Sequence, residues 1–167
     1  MIMVSRLMSK AEVAIERFLD KKGIKYYCPG EPVFMFDLTE KNGEIYSFFI
    51  EIKDGDYYTV EVTSCICINP NDKGQLFRAL DLFNRLKIEP GIRYSTFFVD
   101  PDSGVIKHLQ KIDCFNSEPS EDVINKSLLV PQIEFALINP IIRDYVFDSK
   151  EVDISLSIAL AMLNLLK

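Results

Sequence analysis

The sequence predicts an α+β fold: an antiparallel sheet made of a three-stranded meander and a separate hairpin, with helices packed on it, in the order α-β-β-β-α-β-β-α plus an added C-terminal helix. Three observations predict it. Apolar residues recur at helical spacing near both ends and around residues 76–86, and they alternate with period two between residues 33 and 68. The dipeptides Asn42-Gly43 and Asp54-Gly55 interrupt the alternating stretch, and such pairs favour tight hairpins because the turn needs positive φ. Strands joined so closely pair antiparallel, giving one apolar face and one mixed face.

The elements follow in order. Ser9 and Glu12 have capping-box spacing, and Ala11, Ala14, Ile15, Phe18 and Leu19 form one helical face up to about Lys22, where Gly23 stops the helix. After the Cys28-Pro29-Gly30 break, "EPVFMFDL" reads as a strand. In "EIYSFFIEIK", Tyr46, Phe48, Ile50 and Ile52 share one face and Ser47, Phe49, Glu51 and Lys53 the other. In "YYTVEVTSCICI", Tyr58, Val60, Val62, Ser64, Ile66 and Ile68 oppose Tyr57, Thr59, Glu61, Thr63, Cys65 and Cys67. A second helix, capped by Asn69 or Asn71, is expected to bury Leu76, Phe77, Leu80, Phe83 and Leu86 and to end at Pro90-Gly91. "IRYSTFFVD" and "GVIKHLQKI" make a hairpin around Pro101–Gly104.

A further helix begins near Glu121, capped by Ser117 or Ser120, with Pro131 and Pro140 expected to kink or break it. Asp148 and Glu151 repeat the capping-box spacing before a last helix. There Asp153, Ser157, Ala161 and Asn164 leave only a narrow polar stripe, and apolar residues fill the remaining arc. So wide an apolar arc is seldom left bare in water, so this helix packs on its own domain or meets a partner.

Composition sets outer limits. A chain of 167 residues is expected to form one domain over 1–167 with one ordinary core. Its 48% hydrophobic content and mean hydropathy of +0.07 lie at the apolar end for a water-soluble protein, which points to a partner or a second copy. A net charge of −6 repels phosphate, and Lys21-Lys22 is too small a cluster to reverse that, so nucleic acid is not an expected partner. No apolar run is long enough for a membrane span, and the N-terminus lacks the features of a secretory signal, so a cytoplasmic protein is expected. Cys28, Cys65, Cys67 and Cys114 are then expected as buried or half-buried structural thiols; a lone C-x-C without further ligands does not make a metal site.

Catalytic patterns are sparse. There is no Walker loop, G-x-G-x-x-G, H-E-x-x-H or paired-cysteine zinc pattern, and the turn Asp100–Gly104 fails calcium-loop spacing because Lys111 stands where a Glu is needed. His108 is the only histidine. Flanked by Lys107 and Leu109 on a strand, it reads as a surface or edge residue; a hydrolase or small-molecule site would have to be built on it. No cofactor and no metal are expected.

The helix "NPNDKGQLFRALDLFNRL", with Asn84 near its end, and the strand-turn-strand "GIRYSTFFVDPDSGVI" resemble the YbjN family of bacterial domains. That resemblance covers residues 9–147, while 148–167 looks like an added apolar helix. It implies the type III secretion chaperone-like fold, helices on a curved antiparallel sheet without catalytic residues, in a family described as sensory transduction regulators. Small size, acidic pI and an apolar C-terminal helix are also shared with the secretion chaperones themselves, which bind other proteins in extended form.

The function expected on these grounds is a non-enzymatic, protein-binding domain acting as a chaperone-like or regulatory adaptor, with a homodimer expected. The alternatives are a type III secretion chaperone for one client, or a small-molecule-binding protein or hydrolase using His108. Candidate partner-binding residues are Leu156, Leu160 and Leu163 on the last helix and Phe49, Tyr57 and Thr59 on the mixed sheet face. Leu156→Glu with Leu160→Glu is expected to change the oligomeric state without unfolding the sheet.

Overall fold

Alternation of apolar and polar side chains in this chain produces strands that are buried on one side only. The computed structural model describes residues 8–30, 32–41, 43–53, 57–86 and 94–164. Strands β1 (Val33–Thr39), β2 (Ile45–Lys53), β3 (Tyr57–Cys67), β4 (Tyr94–Val99) and β5 (Val105–Asp113) form one antiparallel sheet in the order β1-β2-β3-β5-β4. The hairpin therefore extends the meander, docking through its second strand.

Helices α1 (Lys10–Lys22), α2 (Lys73–Arg85), α3 (Glu121–Ile142) and α4 (Asp153–Asn164) lie on the face lined by Phe36, Phe48, Ile50, Tyr58, Val60 and Ile106. Several contacts fix that side. Tyr58 Oη donates to Ser127 Oγ of α3 at 3.2 Å, Phe135 of α3 stacks on Tyr46, and Phe83 of α2 stacks on Phe97. Arg17–Glu118 at 3.0 Å and Lys21–Glu121 at 2.7 Å tie α1 to the start of α3.

The predicted caps hold at two helices. Ser9 and Glu12 form the reciprocal capping box of α1, and Gly23 ends it at φ 67°. Ser120 accepts from Val123 N at the start of α3. The cap of α2 is Asp72, not Asn69 or Asn71: its carboxylate accepts from Gly74 N and Gln75 N, while Asn69 Oδ1 is taken by Asn71 N.

The buried stripe of α2 also differs from expectation. Ala79, Leu82, Phe83 and Leu86 face the core, whereas Phe77 is 71% exposed and Leu80 points outward. Two overlapping apolar stripes share this helix, and the one containing the small Ala79 comes closest to the sheet.

Neither Pro131 nor Pro140 ends α3, which continues into a π-helical turn at Arg143–Phe147. The Asp148/Glu151 capping box does not form, because Asp148 closes the π turn and the next helix starts only at Asp153. Instead Lys150 bridges Asp144 at 2.7 Å and Asp148 at 2.9 Å, pinning the connector.

At the first hairpin, Thr39 pairs with Ile45, Glu40 N donates to the Glu44 carbonyl at 2.8 Å and Gly43 has a φ of 85°, so the connection is longer than the expected two-residue turn. Asn42, the Asp54-Gly55 turn and the Pro90-Gly91 helix stop lie outside the described residues.

At the β4–β5 turn, Asp100 accepts from the Ser103 backbone and hydroxyl and pairs with Lys107, which together hold its carboxyl down at about 2. Gly104 closes the turn at φ 73°, and its carbonyl accepts from Ile68 N at 2.8 Å. A Cβ built there would run into the Ile68 carbonyl oxygen. Gly104→Ala is accordingly expected to cost about 2 kcal/mol or more, from left-handed strain plus the displaced end of β3. A urea midpoint equal to that of the wild type would refute this account of the turn.

Candidate functional site

Side chains alternate across a strand, so the residues not used in the core form a second surface. The outer face of the sheet includes Met35, Asp37, Phe49, Glu51, Lys53, Tyr57, Thr59, Glu61, Lys107, Leu109, Lys111 and Asp113, all half-buried or exposed. None of the described helices covers it.

The strand register arranges these residues in rows. One row runs Met35, Phe49, Glu61, Leu109, Thr96; the next runs Val33, Glu51, Thr59, Lys111; a third runs Lys53, Tyr57, Asp113. Phe49, Tyr57 and Thr59 are thus brought together on adjacent rows of one open surface. Six of its charges are paired within the chain: Lys107 with Glu61 at 2.9 Å, Lys111 with Asp113 at 3.0 Å, and Lys53 with Glu51. Lys111 Nζ also sits 4.2 Å from the centroid of the Tyr57 ring.

The last helix packs on its own domain, one of the two expected placements, so the leucines named as partner-binding face inward. Leu156 and Leu163 are buried, with Leu156 only 3% exposed, and Leu160 is half-buried; with Val152 and Ala159 they join the same core as the sheet. They are not a free surface. The bare side of α4 carries Ile154, Ile158 and Met162, which are 80%, 57% and 47% exposed. These three recur every fourth residue, a spacing visible in the sequence, but nothing local distinguishes that stripe from the one running through Leu156.

His108 is neither a surface nor an edge residue. It has no exposed surface, because β5 lies between β3 and β4 and its even-numbered side chains point under α3. The outward positions on either side belong to Lys107 and Leu109, and the apolar Leu109 obscured the alternation. His108 Nε2 lies 2.5 Å from Glu134 Oε2 of α3, a close contact without hydrogen-bond alignment. Phe97 and Phe135 close around the imidazole, with centroids at 4.9 and 6.2 Å. Nearby Gln110 Oε1 and Asn139 Oδ1 are buried without a hydrogen-bond partner. The sequence signal for Glu134 is that it is the one charged residue in the stretch 128–142 of α3.

The thiols also differ from expectation. Cys28, Cys65 and Cys67 are exposed, and only Cys114 is buried, where burial raises its pKa to about 11. Cys65 stands where the β3–β5 register shifts between Thr63 and Cys67, and Cys67 Sγ contacts the Ser103 carbonyl at 3.1 Å. Among the described residues no three His, Cys, Asp or Glu side chains are grouped to hold a metal ion, and no helix is long and apolar enough to cross a membrane.

No protein-family model matches the chain, and no curated protein matches it. Among solved structures it is similar to the crystal structure of YbjN from E. coli, at 8% sequence identity and a TM-score of 0.48, over 92% of this chain and 90% of that one. That structure bears the name of the family which the α2 and β4–β5 sequences resemble.

Proposed function

We propose that the chain is a non-enzymatic, protein-binding domain of the cytoplasm, acting as a chaperone-like or regulatory adaptor, and that its client meets the bare side of α4. The observation that carries this reading is the helix itself. It is anchored through Leu156, Ala159 and Leu163 and still presents Ile154, Ile158 and Met162 to solvent. A helix apolar on both sides suits a second apolar surface better than it suits water. A secretion chaperone devoted to one client is a narrower form of the same reading.

Two further features support it. His108, the one histidine available as a base, is sealed beneath Phe97 and Phe135, so a substrate would have to open the core to reach it. Three exposed thiols suit a reducing compartment.

Affinity capture from the native host tests the client surface. Wild type is expected to retain one dominant protein that Ile154→Glu with Ile158→Glu loses, with unchanged circular dichroism. Equal recovery by both proteins would remove α4 from the account.

A further inference from the structure

We propose that the open face of the sheet binds a second copy of this chain, face to face, about a two-fold axis running along β3. The argument is one of register and charge. Strands β2 and β5 flank β3 on opposite sides and run parallel to each other, since each is antiparallel to β3. On the outer face β2 carries Phe49, Glu51 and Lys53, while β5 carries Leu109, Lys111 and Asp113 in the same three rows.

One strand thus reads apolar, acid, base where the other reads apolar, base, acid. Rotation about an axis along β3 lays β2 of each copy over β5 of the other without shifting the rows. Phe49 then faces Leu109, Glu51 faces Lys111 and Lys53 faces Asp113 of the second copy, each contact occurring twice. Sheets packed face to face lie about 10 Å apart, close enough for these long side chains to meet near the axis. Glu61 meets its own copy on the axis, where Lys107 of the same chain neutralises each carboxylate. A twofold interface of this kind is self-complementary by construction.

The surface is separate from the bare side of α4, so self-association and client binding can fail independently. Charge reversal tests the register. Full-length Glu51→Lys and Lys111→Glu variants each place two like-charge contacts in a homodimer, whereas a mixture of the two restores opposite charges at both.

Light scattering with sedimentation equilibrium is expected to give twice the 19.2 kDa chain mass for wild type. Each single variant should dissociate about tenfold or more weakly, and the equimolar mixture should recover the dimer, as should the variant carrying both changes. Circular dichroism establishes that every variant is folded. A monomeric wild type at about 100 μM, well above the weak end of specific association, overturns the proposal. So does a dimer indifferent to either reversal, or a mixture that stays monomeric, including the case in which this face takes a different protein.

Discussion

Leu156→Glu is expected to destabilise the protein severely, not to expose a binding surface. Leu156 is 3% exposed and lies in the core with Val152, Ala159 and Leu163. The substitution removes a buried apolar side chain and puts a carboxylate in its place. Loss of packing and the burial of charge together cost about 3–5 kcal/mol, a large part of the roughly 5–15 kcal/mol that holds a domain together. Ile154→Glu, two residues away on the bare side, is expected to change stability by about 0.5 kcal/mol or less. Urea unfolding of the two variants side by side measures the contrast. Equal midpoints would mean that α4 is not part of the core, and the expectation of an oligomer change without unfolding would stand.

Breaking the pair between His108 and Glu134 has a comparable expected effect. Both side chains are buried, and they meet across the β5–α3 interface. His108→Leu leaves Glu134 beneath the helix without its partner, and Glu134→Leu leaves the imidazole between Phe97 and Phe135 without its carboxylate. Removing one member of a buried pair typically costs about 3–5 kcal/mol, whereas replacing both by apolar residues of similar volume is often close to neutral. The double variant is therefore expected to be more stable than either single one, with a coupling of about 2 kcal/mol or more in a double-mutant cycle. Additive losses would show that the 2.5 Å contact contributes nothing and that the two residues pack independently.

These expectations mark where sequence reasoning reached and where it stopped. The strands were legible because a half-buried strand writes its burial into alternate positions: Tyr46, Phe48, Ile50 and Ile52, then Tyr58, Val60 and Val62, are all core residues. The capping box of α1 was legible because it is contained within four residues. Helices with two apolar stripes were not, because the choice between Phe77 and Leu82 in α2, or between Ile154 and Leu156 in α4, depends on which side meets the sheet. That is set by the docking of the helix, not by its spacing.

The burial of His108 was hidden for a related reason. It depends on β5, and not β4, pairing with β3, and on α3 crossing above it with Glu134. The mixed face was legible as a face, and Phe49, Tyr57 and Thr59 lie on it. Its charge order became visible only once β2 and β5 were seen to flank the same strand.

The most direct test of a protein-binding domain with two separate surfaces is site-specific photo-crosslinking in the native host. A photoreactive phenylalanine analogue is placed at Ile158 in one full-length variant and at Phe49 in another, and the products are identified by mass. The account predicts that position 158 captures a different protein and that position 49 captures a second copy of the chain. Crosslinks to no protein from position 158, or the same product from both positions, would contradict it.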